Sequence, residues 1–172
     1  MDLQTLLDIE AIKQLRYAFA WSLETSQPDK LADLFTEDGV VDVGPWGRMD
    51  GQDAIRRGYG RAYRHGEQFT AVHAVTNPRI FVNGDEATGT WYLLDCSLRQ
   101  KDVNPLQIVG IYDEIYRRVN GEWRIAHLTL KFLWSSHVGQ VTPDNPMSLP
   151  RHILRQPDLS TSEVPRADPA PQ

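Results

Sequence analysis

The stretch of sequence that decides the fold runs from Leu106 to Trp134 and reads LQIVGIYDEIYRRVNGEWRIAHLTLKFLW. Two runs rich in β-branched and aromatic residues flank the dipeptide Asn120-Gly121. That dipeptide favours a type I′ hairpin turn, because both central residues of such a turn need a positive φ. The stretch therefore predicts two long antiparallel strands, Leu106 to Val119 and Glu122 to Trp134.

Two more strands are predicted immediately before this hairpin. Runs of strand-forming residues extend from Phe69 to Val82 and from Glu86 to Gln100, and the turn Asn83-Gly84-Asp85 separates them. Consecutive strands joined by short turns form an antiparallel meander. We expect this four-stranded meander to make up most of a single sheet.

Three helices and one short strand are predicted upstream of the meander. Apolar residues recur at helical spacing from Thr5 to Thr25, with Thr5 as a candidate N-cap. The elements predicted next are a short helix through Leu31, Leu34 and Phe35, a turn at Glu37-Asp38-Gly39, a strand through Val40, Val41 and Val43, and a third helix from Asp53 to His65. This order is typical of an α+β fold in which three N-terminal helices pack in a strongly curved antiparallel sheet around a cone-shaped cavity.

Length and composition fit one globular domain followed by a tail. The chain has 172 residues, of which 41% are hydrophobic and 24% are charged. Seven of the eleven prolines lie between Pro143 and Pro171. We therefore expect a domain over residues 1–136 and an irregular tail over residues 137–172, whose first part carries enough apolar residues to pack on the domain.

Charge and hydropathy exclude several classes of function. The 18 basic and 23 acidic residues give a net charge of -5 at pH 7, which works against binding by neutralisation of phosphates. Apolar runs are far shorter than the roughly 20 residues that cross a bilayer. The single cysteine, Cys96, cannot form an internal disulfide. We expect a cytoplasmic protein that binds neither nucleic acid nor a membrane.

Several familiar catalytic motifs are absent from the sequence. It contains no glycine-rich phosphate loop, CxxC pair, HExxH or GxSxG sequence. The histidines lie in different predicted elements without the spacing of paired metal ligands; they are His65, His73, His127, His137 and His152. We therefore expect acid–base chemistry with no metal and no cofactor.

Four stretches of the chain together resemble a known family. They are the opening helix ending in Glu24, LADLFTEDGV from Leu31, HAVTNPRI from His73 and GEWRIAHLTL from Gly121. Over roughly residues 5–136 the chain resembles the SnoaL-like division of the nuclear transport factor 2 (NTF2-like) superfamily, which includes scytalone dehydratase and bile acid 7α-dehydratase. The resemblance implies an NTF2-like cone, and it leaves the reaction open because the division also contains a hexachlorocyclohexane dehydrochlorinase and polyketide cyclases.

The resemblance implies a catalytic pair formed by His73 and Glu24. Enzymes of the division commonly pair a carboxylate near the end of the first helix, usually aspartate, with a histidine at the start of the first long meander strand. A carboxylate that accepts the second N–H of an imidazole fixes its tautomer and stabilises the imidazolium that forms during proton abstraction. The alternative is that Glu24 caps its helix in solvent and His73 is an ordinary strand histidine.

An aspartate on the second meander strand is a further candidate. Trp91, Leu93 and Asp95 alternate along the strand and so share one face, and the two apolar companions indicate that this face is buried. Asp95 resembles the acid of bile acid 7α-dehydratase that acts on the leaving hydroxyl. The equally weighted alternative is that Asp95 has no catalytic role and lies at the end of the strand, near the rim of the sheet.

A tyrosine could assist the same reaction. Tyr17 precedes Glu24 by seven residues and lies on nearly the same side of the helix. Related dehydratases carry a catalytic tyrosine five residues before the carboxylate, where this chain has Phe19. Tyr17 is therefore the candidate proton donor, with Tyr59 and Tyr63 as substitutes, although tyrosines more often serve packing.

The remaining predictions concern the cavity wall and the third helix. Alternation places Leu128, Leu130 and Phe132 inward and His127, Thr129 and Lys131 outward. The predicted wall comprises Phe19, Leu23, Tyr59, Leu93, Tyr112, Leu128, Leu130 and Phe132. Four arginines on the third helix form a solvated face or, as the lesser alternative, meet an acidic ligand or partner; they are Arg56, Arg57, Arg61 and Arg64.

These observations lead to one preferred function and two alternatives. The preferred function is a cofactor-independent lyase, either a dehydratase or an aldehyde-releasing carbon–carbon lyase, that acts on a hydrophobic cyclic or aromatic small molecule. The alternatives are an isomerase or polyketide cyclase, and a small-molecule-binding module without catalysis. The uncovered face of the sheet predicts a homo-oligomer, a dimer or a trimer.

Overall fold

The computed structural model describes residues 2–62, 69–99 and 106–137. The predictions for Tyr63, Arg64 and His65 and for the tail beyond residue 137 lie outside these residues. The elements in chain order are α1 (Leu3–Glu24), α2 (Pro28–Ala32), β1 (Phe35–Asp42), a 3₁₀ turn (Gly44–Trp46), β2 (Arg48–Asp50), α3 (Gln52–Ala62), β3 (Phe69–Asn83), β4 (Glu86–Arg99), β5 (Leu106–Val119) and β6 (Glu122–His137).

The six strands form one curved sheet with the order β2-β1-β6-β5-β4-β3. Strands β3 to β6 are the predicted antiparallel meander, and Asn120 and Gly121 adopt the positive φ values of 52° and 83° that their hairpin turn requires. The predicted α+β fold with helices packed in a curved sheet is confirmed, but the antiparallel pairing does not extend to the other edge, because β1 runs parallel to β6. A long connection through α3 and the meander joins these two strands, so no tight turn forces them to be antiparallel.

Two local predictions near the N-terminus are corrected by the structure. Helix α1 begins one turn earlier than predicted, because the carboxylate of Asp2 accepts a hydrogen bond of 2.7 Å from the backbone N–H of Thr5 and acts as the N-cap. The predicted turn at Glu37-Asp38-Gly39 lies inside β1. There the pairing with β6 shifts register between Phe35 and Val40, so the extra residues form an irregularity in the strand.

The core lies between α1 and the inner face of the sheet. Ile12, Phe19 and Leu23 of α1 are buried in one apolar cluster with inward-facing strand residues such as Trp91 and Leu128. Burial of one face of the sheet and one stripe of the helix stabilises both elements. No helix in the described residues is long and apolar enough to cross a membrane.

A glycine allows α3 to approach the short strand β2. A Cβ at Gly58 would lie 2.1 Å from the sulfur of Met49, so any larger residue would force the methionine aside. Because Gly58 has no side chain, Met49 packs against α3 and the two elements form one side of a cavity.

Candidate active site

A cavity of about 440 Å³ lies between the helices and the inner face of the sheet, which is enough for one drug-sized ligand. Its walls are mainly apolar and aromatic and include Leu23, Val43, Trp46, Met49, Tyr59, Leu93, Ile108, Tyr112 and Leu130. Two arginines, a histidine and an aspartate also line it, namely Arg48, Arg61, His73 and Asp95.

His73 and Asp95 are paired residues on adjacent antiparallel strands. They lie directly opposite each other in the β3–β4 register, and both are buried. The imidazole Nε2 is 3.7 Å from a carboxylate oxygen of Asp95, which is longer than a hydrogen bond but within the distance of an ion pair. Sheet alternation thus brings a base and an acid to one point of the cavity wall.

Burial changes the acidity of Asp95. Desolvation raises its pKa from 3.8 to about 6, a hydrogen bond from Ser97 opposes the rise, and the charge of Glu24 adds to it. The Ser97 hydroxyl lies 2.9 and 2.8 Å from the two carboxylate oxygens. A carboxyl group with this pKa exchanges its proton readily near neutral pH.

Burial lowers the pKa of His73, in contrast to its effect on Asp95. Desolvation, followed by the positive charge of Arg16, lowers its pKa from 6.5 to about 4. The imidazole is therefore neutral at physiological pH and able to accept a proton.

Glu24 reaches the same site through the main chain. One of its carboxylate oxygens accepts a hydrogen bond of 2.7 Å from the backbone N–H of His73. The resemblance implies that Glu24 pairs with the imidazole itself, and the structure differs. The Glu24 hydrogen bond ties the end of α1 to the main chain of β3, and Asp95 is the carboxylate that faces the ring at Nε2. Glu24 is half-buried and its charge still acts on Asp95.

A buried cation lies behind the cavity wall. The guanidinium of Arg16 lies over the rings of Tyr112 and Phe19, at 4.1 and 4.3 Å from their centroids, and its Nε is 3.0 Å from a carboxylate oxygen of Glu114. The other oxygen of Glu114 accepts a hydrogen bond from Tyr116. The sequence predictions assign Arg16 no role, although its spacing from Ile12 and Phe19 puts it on the same face of α1 as those two buried residues.

The other predicted residues lie in four places: the cavity wall, the adjoining core, a surface depression and the exposed side of α1. Leu23, Tyr59, Leu93, Tyr112 and Leu130 line the cavity, whereas Phe19 and Leu128 are buried in the adjoining core. Phe132 packs against Trp46, with ring centroids 4.8 Å apart, beside a shallow depression on the surface. Tyr17 is 45% exposed and packs its ring edge-on against Trp91; it is not among the residues that line the cavity.

One part of the cavity was missed altogether. The 3₁₀ turn and β2 supply Trp46, Arg48 and Met49 to its rim, and these short elements have no periodicity that a sequence pattern could reveal.

In the part of the chain that the structure describes, no group of three or more His, Cys, Asp or Glu side chains is arranged to hold a metal ion.

Fold and cavity together are those of an NTF2-like α+β cone. A family model described as a SnoaL-like domain matches residues 4–129, and the chain belongs to this family. No curated protein is similar in sequence to this chain at a significant level.

Three solved structures illustrate the likeness in fold. A protein of Novosphingobium aromaticivorans provisionally named scytalone dehydratase is 24% identical over 85% of this chain and 97% of its own, with a TM-score of 0.72. Hexachlorocyclohexane dehydrochlorinase LinA-type3 of Novosphingobium barchaimii is 20% identical over 82% and 97%, with a TM-score of 0.72. An NTF2-like protein of N. aromaticivorans with a cystatin-like fold is 23% identical over 76% and 85%, with a TM-score of 0.65.

Proposed function

We propose that this protein is a cofactor-independent lyase of the dehydratase type that acts on a hydrophobic, ring-containing small molecule. The observation that carries the proposal is the buried pair of His73 and Asp95 in the wall of an apolar cavity. Their pKa values, about 4 and about 6, allow a neutral imidazole and a protonated carboxyl group to coexist between those pH values. Such a pair provides one base and one acid for the same substrate.

The proposed elimination uses each group once. The imidazole of His73 takes a proton from the carbon adjacent to the one that bears the leaving hydroxyl. As the carbon–carbon double bond forms and the carbon–oxygen bond breaks, the departing oxygen takes the proton of the Asp95 carboxyl group and leaves as water. The imidazolium then passes its proton to the Asp95 carboxylate across the 3.7 Å between Nε2 and Oδ1, which restores both groups.

Two considerations favour an enzyme over a binding module. Burial of a carboxyl group and an imidazole 3.7 Å apart costs desolvation free energy, which apolar side chains at these positions would avoid. Buried pairs with displaced pKa values are typical of catalytic sites. In addition, the two named enzymes with the same fold, a provisionally named dehydratase and a dehydrochlorinase, both carry names for elimination reactions.

The test is a screen of hydroxylated ring compounds for product formation without added cofactor. Mass spectrometry would distinguish loss of water from release of an aldehyde, which would indicate the carbon–carbon lyase, and from a product of unchanged mass, which would indicate an isomerase or cyclase. We expect kcat/KM to rise above about pH 4 and to fall above about pH 6. Between these pH values the imidazole of His73 is neutral and the carboxyl group of Asp95 is protonated, so the pair holds a single proton. Saturable binding without turnover across the screen would instead favour the binding module.

We also propose that the chain forms a homo-oligomer through the outer face of the sheet. Val72, Leu94 and Ile115 are each about half exposed on that face, and exposed apolar side chains gain free energy when a second subunit covers them. Light scattering at tens of micromolar protein should give the mass of a dimer or trimer, and a monomer would overturn this proposal.

A further inference from the structure

The charged residues of the cavity lie in two groups of opposite sign. His73 and Asp95 lie on β3 and β4, and Glu24 adds a second carboxylate beside them. Arg48 comes from β2, at the opposite edge of the sheet from β3, and Arg61 comes from the last turn of α3, which contacts β2. A ligand that fills this space therefore meets the carboxylate of Asp95 at one end, with Glu24 behind it, and guanidinium groups at the other.

The arginines of α3 have different partners. Arg56 is bound by three carboxylates, at 3.1 Å from Asp29, 3.3 Å from Asp33 and 2.6 Å from Asp53. Arg61 lines the cavity and takes part in none of the ion pairs that the described residues form. Arg57 is exposed and does not line the cavity. Only one of these three cations thus has both access to the cavity and no carboxylate partner in the described part of the chain.

We propose that the substrate is a cyclic or aromatic acid whose carboxylate pairs with Arg61 at the rim of the cavity. Its apolar ring lies against the leucine and tyrosine walls, and its reacting carbon faces His73 and Asp95. This inference rests on the proposed function, since it names the substrate class of the same site.

Electrostatics fixes the orientation of such an acid. Its carboxylate is repelled by Glu24 and by ionised Asp95, and it is attracted by the guanidinium groups at the other end. Arg48 already shares its charge with Asp50, at 2.8 Å, so Arg61 carries the larger part of the attraction. The planar fork of a guanidinium group matches a carboxylate in a bidentate pair. A single bound orientation therefore places the reacting end of the acid at the acid–base pair.

A binding measurement tests the inference without the unknown substrate. Biphenyl-4-carboxylate and biphenyl-4-carboxamide have nearly the same shape and differ in charge, and calorimetry would give Kd for each with the full chain. We expect the carboxylate to bind at least about tenfold more tightly than the amide, as for one charge-assisted hydrogen-bonded pair. Arg61→Gln should remove that preference, and Arg61→Lys should retain part of it.

Arg57→Gln is the matched control, because it removes the same charge from the same helix outside the cavity. It should leave the preference for the carboxylate within about twofold of wild type. Equal Kd values for the two probes, or an equal loss in Arg57→Gln and Arg61→Gln, would overturn the inference.

The result is separable from the proposed function. His73→Ala should still prefer the carboxylate, since binding of the anion does not need the base. An Arg61-dependent preference without turnover of any cyclic acid would leave this inference standing and count against the lyase. Turnover of neutral compounds by a protein that does not prefer the carboxylate probe would support the lyase and overturn this inference.

Discussion

Each face of the sheet carries a pair of one acidic and one basic side chain, and the two pairs differ in burial and in distance. On the inner face His73 and Asp95 are buried 3.7 Å apart, and both pKa values are displaced. On the outer face Lys131 and Asp113 are closer, at 2.7 Å, but are partly exposed to solvent. Thr90 donates a further hydrogen bond to Asp113 there. Water and salt screen the outer pair, so its short distance gives it little energy.

This difference shows that burial creates the candidate site and that proximity alone does not. Water stabilises both charged forms on the outer face, whereas the inner face disfavours them and so leaves a neutral base beside a weak acid. For His73 and Asp95, a change on the inner face is therefore paired below with a matched change on the outer face.

The largest effect is expected for the base. His73→Ala should lower kcat by about 10²- to 10⁴-fold, because it removes the proton-transfer group from the cavity. His127, which lies with Asp113 and Thr129 in a shallow depression on the outer face, provides the control, and His127→Ala should keep wild-type turnover. Steady-state kinetics on any compound found in the screen would measure both. Comparable losses of kcat in the two variants would show that the inner face is not where the base acts.

Removal of the buried carboxylate should have opposite effects on activity and stability. Asp95→Asn should lower kcat about 10²-fold or more, since the amide has no acidic proton to give to the leaving group. At pH 8 the same change should raise the free energy of unfolding by about 1–2 kcal/mol, because it removes a desolvated charge. Urea denaturation would measure the gain. A loss of stability in Asp95→Asn at this pH would contradict the account.

The sign of that gain follows from the direction of the pKa shift. The folded protein holds the Asp95 proton more tightly than the unfolded chain, since burial raises its pKa from 3.8 to about 6. The free energy of unfolding therefore decreases as pH rises from 3.8 to about 6, and the decrease is complete above that range. Below pH 3.8 the carboxyl group is neutral in both states, and the advantage of the asparagine should vanish. Asp113→Asn on the outer face should change stability by less than about 1 kcal/mol at either pH.

A smaller effect is expected at Glu24. Glu24→Gln keeps an oxygen that can accept the backbone N–H of His73, so turnover should fall less than about tenfold, while Glu24→Ala should lose more. The glutamine variant also lacks the charge that raises the pKa of Asp95, so the upper limb of the pH profile should move to lower pH. Equal losses in the two variants would show that the carboxylate charge, and not the main-chain hydrogen bond, is what matters.

Much of this contrast could be predicted from the sequence. Alternation along the meander strands put Asp95 and Leu130 inward and Lys131 outward, because a period of two assigns every residue of a strand to a face once one apolar set is recognised. Resemblance to a family added His73 and Glu24, which no local pattern connects. The parts missed are long-range or short: the parallel pairing of β1, the contact of Glu24 with a backbone N–H, and the three-residue strand β2. Each depends on where distant segments meet.

The most direct test of the central claim is an NMR titration of the imidazole of His73, which needs no substrate. In protein labelled at histidine with ¹³C and ¹⁵N, His73→Gln would identify the signals of this ring among the five histidines. If burial and Arg16 keep the imidazole neutral, its two ring nitrogens should keep the widely separated ¹⁵N shifts of a neutral ring from pH 8 to about pH 5 and converge only near pH 4, while ionisation of Asp95 near pH 6 moves them only slightly. A titration centred near 6.5, the value of an unperturbed histidine, would contradict the claim that the cavity holds a neutral base.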